Sequence, residues 1–291
     1  MIKFDVESIK ERLKERLRSK SEWAEVLFHS ANQRLIDSFS EELAYLSLYD
    51  EYLTREAKWD VARNVSSLIK ESSFYRYKPH RKIGAKGFVQ FSTDENFSKS
   101  YPYDLKIPKY SMVSTKSGIT FCVMEEEAIL SSNKTKQDIK VVQGTAKKYT
   151  HFATGMNYEK ITIENPNIEN SVYDIYVNGV KWEERDFIRE AVDGDDKVYT
   201  VETLPNYGGI RIKFGNDIFG KKLQKNDKVE IYYVETLGET GNVVSTNRVK
   251  NVDFIIKDSD GEEINIYVRN LDAIDGGTSY ESKDSIKNNA P

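Results

Sequence analysis

Every glycine and proline of this chain lies on one side of residue 79. None occurs before Pro79, and all 16 Gly and all 6 Pro follow from there. In a helix interior a Gly costs about 1 kcal/mol and a Pro about 3 kcal/mol, so their absence marks the first part as helical. Within it, residues 21–56 read as one long helix. Trp23, Leu27, Ala31, Leu35, Phe39 and Leu43 recur every four residues, and Leu46, Tyr49 and Leu53 carry the stripe on. From Tyr45 a second stripe runs through Leu48 and Tyr52, while Glu41, Glu42, Asp50, Glu51 and Arg55 keep a polar side.

A helix over 21–56 would span about 54 Å, whereas a compact domain of about 80 residues has a radius of gyration of roughly 12 Å. A helix that long and apolar on two sides outruns its own domain. One stripe is expected to face the local core and the other a helix of a partner chain. The simpler alternative is an intramolecular hairpin with a break near Ser38 or Ser40. Two shorter helices flank it. One covers about 5–19, with Asp5 as N-cap and Ile9, Leu13 and Leu17 as its apolar stripe. The other covers about 57–74, burying Ala57, Val61, Val65, Leu68 and Ile69 and ending before Pro79.

At Gly84 the apolar period changes from about 3.6 to 2. Strands are expected near 88–92, 105–107, 112–114, 120–123 and 139–142. Further ones are expected at 174–177, 180–183, 197–204, 209–214, 228–234, 252–256 and 264–268. The strongest hairpin joins Asp174–Val177 to Val180–Glu183 through Asn178-Gly179, the pair that a type I′ turn favours. At the end, Thr278 and Glu281 form a T-x-x-E capping box, which predicts a helix over about 279–289 after a flexible hinge at Gly276-Gly277. The fold class is therefore α+β: an elongated N-terminal helical bundle segment, β-rich modules that are mostly antiparallel, and a short C-terminal helix. Four segments follow. Residues 1–80 are helical, 81–152 form a first β module, and 153–243 form a second, inserted one. Residues 244–291 supply the return strands, the Gly-Gly hinge and the start of a helical region.

Composition removes several function classes. A net charge of −4 and a pI of about 5.7 give no electrostatic footprint for nucleic acid. The basic run Lys10, Arg12, Lys14, Arg16, Arg18 and Lys20 is interrupted by Glu11 and Glu15. The single cysteine, Cys122, leaves no internal disulfide and suits a reducing compartment. No signal peptide and no apolar membrane span is expected.

Candidate chemistry is thin. Gly215–Lys222 approaches G-x-x-x-x-G-K-[ST], but Lys222 stands where a hydroxyl should hold Mg²⁺, and a strand follows it. A tight loop between strands is the better reading. His29, His80 and His151 have no partner at ligand spacing. Asp258-Ser259-Asp260-Gly261 lacks the length and the closing Glu of a calcium loop. The clusters at Glu125–Glu127 and at Glu183-Glu184 read as solvated faces. No catalytic residue, cofactor or metal ligand is expected.

Three runs in the β half belong together. They are Phe214-Gly215-Asn216-Asp217-Ile218-Phe219-Gly220, then Val229-Glu230-Ile231-Tyr232-Tyr233, then Thr236-Leu237-Gly238-Glu239-Thr240-Gly241-Asn242. Together they resemble the baseplate J-like family of contractile phage tails, with its F-G-x-x-x-x-G loop, Tyr-bearing strand and G-x-x-G-N turn. The closing Gly276-Gly277-Thr278-Ser279-Tyr280-Glu281-Ser282 through Ala290-Pro291 is similar to that family's G-G-x-x-x-E-S…A-P segment. Glu42–Leu46, Leu53–Ala57, Ala62-Arg63 and Tyr77-Lys78-Pro79 are similar to its helical opening, and Ile107-Pro108 with Ser117–Phe121 to its first β region. One departure is Asn216-Asp217 where Asp-Gly is usual, which bears on turn type alone. The family also continues past the A-P segment, which implies a longer parent chain.

The resemblance implies a structural, non-enzymatic wedge subunit. Such subunits join into a ring around the tail hub, help to start sheath assembly and trigger contraction. Its implied partners are other wedge proteins through the N-terminal helices, a second copy of itself, and hub or sheath-initiating proteins, with no nucleic acid and no membrane. The implied location is the virion baseplate, assembled in the bacterial cytoplasm. Tyr45, Leu46, Leu48, Tyr49, Tyr52 and Leu53 are the expected helix-bundle contacts. Phe214, Gly215, Gly220, Gly241 and Asn242 are the family loop residues, and Gly276 and Gly277 the hinge. The alternatives are a receptor- or glycan-binding tail fibre attachment module on a helical stalk, and a cell-wall hydrolase with paired carboxylates.

Overall fold

The computed structural model describes residues 5–20, 29–257 and 261–290. The chain is α+β, with helices first, antiparallel-rich sheets next and a short helix last. It divides into two compact units, residues 1–76 with 287–291, and residues 77–286.

In the first unit, helix α1 (Val6–Arg18) starts where Asp5 predicts, its carboxylate accepting from the Ser8 amide at 2.9 Å. Helix α2 covers Ser30–Glu56, so the part of the long helix carrying Trp23 and Leu27 lies outside the described residues. The seam it buries is made of Ile36, Ser40 and Ala44, one residue per turn. Lys10 of α1 pairs with Asp37 of α2 at 2.6 Å.

The third helix is shorter than its pattern predicts. Helix α3 runs only from Val65 to Ser72, and Ala57 and Val61 are exposed. The cause is a side chain that helix periodicity does not reveal. Glu56, buried at the end of α2, accepts from the amides of Arg63 at 3.1 and 3.2 Å and Asn64 at 2.9 Å. Asn64 then caps α3 through the Ser66 amide. These carboxylate bonds satisfy donors just ahead of a new helix, so the chain turns there instead of continuing.

The second unit contains two large sheets. The first has six strands: β1 (Lys86–Ser92), β3 (Met112–Thr115), β4 (Thr120–Val123), β6 (Gln137–Gln143), β14 (Val249–Val252) and β17 (Tyr267–Arg269). Their order is β14-β3-β4-β6-β1-β17, antiparallel throughout. Between β1 and β6 lie β2 (Leu105–Ile107) and β5 (Ala128–Leu130), which pair with each other over this sheet's core.

The second sheet has seven strands: β7 (Thr145–Phe152), β8 (Lys160–Ile163), β9 (Ile168–Val177), β10 (Val180–Glu184), β11 (Val198–Thr203), β12 (Ile210–Lys213) and β13 (Lys228–Glu235). Their order is β7-β13-β9-β10-β11-β12-β8, with β10 and β11 the one parallel neighbour pair. Strands from both sides of residues 145–235 thus share the first sheet, while 145–235 form their own. Phe91, Phe121 and Ile139 centre one core, and Ile175, Ile212 and Phe214 the other.

The last expected hairpin takes a different form. Its outer parts, β14 and β17, join the first sheet. Only the short β15 (Ile256–Lys257) and β16 (Glu263–Ile264) pair with each other, and Asp258, Ser259 and Asp260 lie outside the described residues. The C-terminal helix also starts later than the T-x-x-E box predicts. Helix α4 is Lys283–Asn289, with the Ser282 hydroxyl accepting from the Ser285 amide at 3.2 Å. Thr278 is held in backbone bonds to Ile83, and the Glu281 carboxylate accepts from the Tyr77 hydroxyl, so no helix starts at the T-x-x-E pair.

At the β9–β10 turn, Asn178 (φ 50°) and Gly179 (φ 80°) both take the left-handed conformation of a type I′ turn. Nothing lies within 4 Å of a Cβ placed on Gly179, so a substitution there meets only backbone strain. Gly179→Val is expected to lower stability by about 1–2 kcal/mol in chemical denaturation. An unchanged unfolding midpoint would mean that the turn relaxes into another type.

Candidate assembly surface and the junction of the sheets

Over its second half, helix α2 shows its large apolar side chains to solvent, and its buried residues include Ser40 and Ala44. Tyr45 (66% exposed), Leu46 (56%), Leu48 (63%), Tyr49 (52%), Tyr52 and Leu53 all lie outside any core. At about 100° per residue they cover an arc of roughly 160°. Leu35, Phe39 and Leu43, also exposed, widen it toward the N-terminal half. The expectation that one of the two stripes faces the local core is therefore corrected: both are exposed. The buried seam of α2 holds Ser40 and Ala44, and small side chains let a neighbouring element approach closely. The α1 segment has 13 residues against 27 in α2, so it covers only part of its neighbour's length. Burying one large apolar side chain is worth about 1.5–3 kcal/mol, and a contiguous patch of this kind marks an interaction site.

In the second unit the residues of these sequence motifs build two close contacts. The first is the loop after β12. Phe214 is fully buried, its ring 5.5 Å from Trp182 and 6.4 Å from Tyr199. A Cβ on Gly215 would lie 2.0 Å from the Gly220 carbonyl oxygen, and Gly220 takes φ 73°. That oxygen accepts from the amides of Asn216 and Asp217. The Asn216 side chain accepts from the amides of Ile218 and Phe219, and that of Asp217 from Lys222. Asp217 has φ 65°, which an Asp tolerates better than most residues. The loop passes into extended chain and then β13, so no helix N-terminus stands behind it to hold a phosphate.

The second contact is where the chain passes between the two sheets. Gln143, buried at the end of β6, accepts through Oε1 from the Thr236 hydroxyl at 2.7 Å and the Leu237 amide at 3.0 Å. A Cβ on Gly241 would lie 2.4 Å from that same side chain, and one on Gly144 would lie 2.3 Å from Val234. Asn242 closes a reciprocal pair with Gly277, donating to its carbonyl at 3.1 Å and accepting from its amide at 2.8 Å. Gly277 is buried and its Cβ position lies 2.5 Å from the Gly238 carbonyl oxygen, while Gly276 takes φ 80° in open space. The Gly276-Gly277 pair thus sits at a close backbone crossing. Beyond it, the Glu281 carboxylate accepts from the Tyr77 hydroxyl at 2.6 Å, the His80 amide at 3.1 Å and the Ser285 hydroxyl at 2.8 Å.

An ionic cluster ties the sheets together away from that crossing. Asp174, on β9 and buried, meets Lys109 at 2.5 Å, Lys181 at 3.0 Å and the Tyr110 hydroxyl; Lys181 also reaches Glu126. The Tyr110 ring stacks on Tyr232 at 5.8 Å. Burial works against the Asp174 charge, but the bonds from Lys109, Tyr110 and Lys181 outweigh it and hold its carboxyl below the usual range. Sequence reading names neither this cluster nor Gln143. The one visible trace is an Asp beside Ile175 in a strand otherwise rich in apolar residues.

Among the described residues no group of three or more His, Cys, Asp or Glu could hold a metal ion. The three histidines lie apart in the sequence, and His151 is used by Glu159 at 3.3 Å. Cys122 is buried and donates to the Gly144 carbonyl, and burial pushes its thiol up to about 12. Among the described residues no helix is long and apolar enough to cross a membrane.

No protein-family model matches the sequence, and no curated protein matches it. Among solved structures the chain is similar to one from the "Cryo-EM structure of the anti-feeding prophage (AFP) baseplate, 6-fold symmetrised". The identity is 12%, the TM-score 0.30, and the match covers 96% of this chain and 51% of that one. The chain thus spans about half the length of the chain it matches. At that score the superposition does not establish a shared fold.

Because the Asp174 carboxyl is lowered on folding, its contribution is present above the unfolded value near 3.9 and lost as pH falls through the folded one. Asp174→Asn is expected to cost about 2 kcal/mol at neutral pH, less than a fully buried pair because Lys181 reaches solvent. Denaturation curves at pH 7 and pH 3 measure this. The gap between native and variant should narrow at pH 3, and an equal gap at both would remove the charge from the explanation.

Proposed function

We propose that this chain is a non-enzymatic structural subunit of a contractile phage tail baseplate, of the J-like wedge type. In this reading its first unit joins helices of neighbouring wedge proteins. The β half forms part of a ring around the tail hub, from which sheath assembly starts and contraction is triggered. It would act in the virion after assembly in the host cytoplasm. The observation that carries the reading is the uncovered apolar arc of α2 over Tyr45–Leu53. The sequence motifs at Phe214–Gly220, Gly238–Asn242 and Gly276–Glu281 support it, and the baseplate superposition is not needed for it. Those motif residues make close backbone and side-chain contacts, which suits a scaffold whose geometry must hold.

The partner that fits α2 is helical and apolar. An arc of roughly 160° is wider than the seam of one neighbour in a two-helix contact, so α2 would lie between helices of the assembled wedge.

The test is a double substitution, Leu48→Glu with Tyr52→Lys, in a co-expression that assembles wedges. Both side chains are exposed, so the chain should fold and keep its β-sheet circular dichroism. Recovery of the other wedge proteins with it should be lost. Normal recovery would place the partner surface elsewhere on the chain and sink this reading of α2.

A further inference from the structure

Strand β7 is an open sheet edge. It pairs with β13 along its whole length, from Thr145↔Glu235 to Phe152↔Lys228, without a register shift, and stands at the end of the seven-stranded order. Lys147, Lys148, Tyr149 and Thr150 are all exposed, so neither face is covered through the middle of the strand. Natural edges are usually blunted by a bulge, a proline or a lysine reaching past the edge. The strand β7 has no bulge against β13 and no proline. Of its two lysines, Lys148 is drawn back onto the sheet, 2.6 Å from Glu230 and over the Tyr232 ring at 5.0 Å, and Lys147 is exposed.

The direction of the backbone groups follows from the residues at the strand's ends. Ala153 donates to the Asp227 carbonyl and accepts from the Asn226 amide, so its groups point toward β13. Gly144 donates the other way, to Thr120. Directions alternate along a strand. Tyr149 and His151 therefore bond inward, and Lys148, Thr150 and Phe152 present N–H and C=O to solvent.

We propose that this edge is a strand-addition site, and that its occupant is β7 of a second copy, running antiparallel about a two-fold axis at Thr150. Of the outward residues, Ala146 packs against the Cys122 cluster at the start of the strand, and Lys148, Thr150 and Phe152 are symmetric about Thr150. A two-fold there sets Thr150 opposite Thr150 and Lys148 opposite Phe152 in both directions, so the open groups of these three residues find partners. The side chains agree with that register. Lys148 meets an aromatic ring, Thr faces Thr, and Tyr149 faces His151, pairings of the kind that stabilise sheets. No like charges are opposed. A two-fold at Lys148 would oppose two lysines, and one at Phe152 would leave Lys148 beyond the partner strand's open groups. The product is one continuous sheet across two copies, with isologous symmetry.

The test uses the full chain with Leu48→Glu and Tyr52→Lys, so that α2 does not mask the readout. Sedimentation should show a concentration-dependent dimer. The amides of Lys148, Thr150 and Phe152 should be slow to exchange hydrogen only in the dimer. Thr150→Pro removes an N–H that points away from β13, so the melting temperature should hold while dimerisation weakens about tenfold or more. Should that variant fail to fold, Thr150→Cys decides. The hydrogen-bonded pair places the two Cα atoms about 5.5 Å apart, within disulfide reach, so oxidation should give a 150–150 disulfide. Cys122 is buried and does not compete. A monomer at all concentrations with those amides unprotected would overturn the proposal. So would protection that appears only when a different tail protein is added, which would make that protein the occupant.

Discussion

The absence of Cβ atoms at one crossing decides how the β half is put together. The chain leaves the first sheet at Gln143, returns at Thr236, and the segment at Gly277 packs across the return. Gly144, Gly238, Gly241 and Gly277 bring these backbones to distances that side chains would forbid. The amides of Gln143 and Asn242 then bond the crossing strands to each other. A single module inserted through two adjacent connections could pivot on them. The Asp174 cluster with Lys109, Tyr110 and Lys181 holds the sheets at a second place, so the crossing is not their sole tie.

The first unit follows the opposite logic. Its glycine-free, proline-free sequence lets α2 form, but the helix buries Ile36, Ser40 and Ala44 and keeps its rings and leucines outside. A chain selected to be stable alone would bury Leu46 and Tyr49 and leave Ser40 to solvent. The observed arrangement makes sense when the large side chains find their cover in an assembly. Glu56 serves the same unit by ending α2 sharply and starting α3 after a fixed turn. Burial opposes its charge, while bonds from the Asn64 and Arg63 amides keep its carboxyl lowered.

What the sequence made legible was whatever has a period or a turn code. The strands around Asn178-Gly179 alternate cleanly because one face of each is core, and the Asp5 cap is local. Strand β7 escaped notice because it has no buried face to alternate against: Lys147 through Thr150 are all exposed. Helix α3 was overextended because Ala57, Val61 and Val65 keep helical spacing, while the interruption comes from Glu56 reaching forward to Asn64. The T-x-x-E box at Thr278 failed for a related reason. Its Glu281 makes stronger use of Tyr77 and His80, residues distant in sequence. The apolar stripes of α2 were readable from spacing, but which residues are buried depends on close helix approach, and that is a tertiary property. The motif glycines were recognisable as a pattern; the tight loop explains Gly215 and Gly220, and the crossing explains Gly238, Gly241 and Gly277.

The central claim is that the α2 arc is solvent-exposed in the free chain and covered in the assembled baseplate. Hydroxyl-radical footprinting of Tyr45, Tyr49 and Tyr52 tests it most directly, comparing the isolated chain with intact tail ends. The account predicts strong oxidation of all three in the isolated chain and protection of all three in the assembly, with Tyr103, exposed in the β half, as an internal reference. Oxidation of the α2 tyrosines at the same level in both would contradict it.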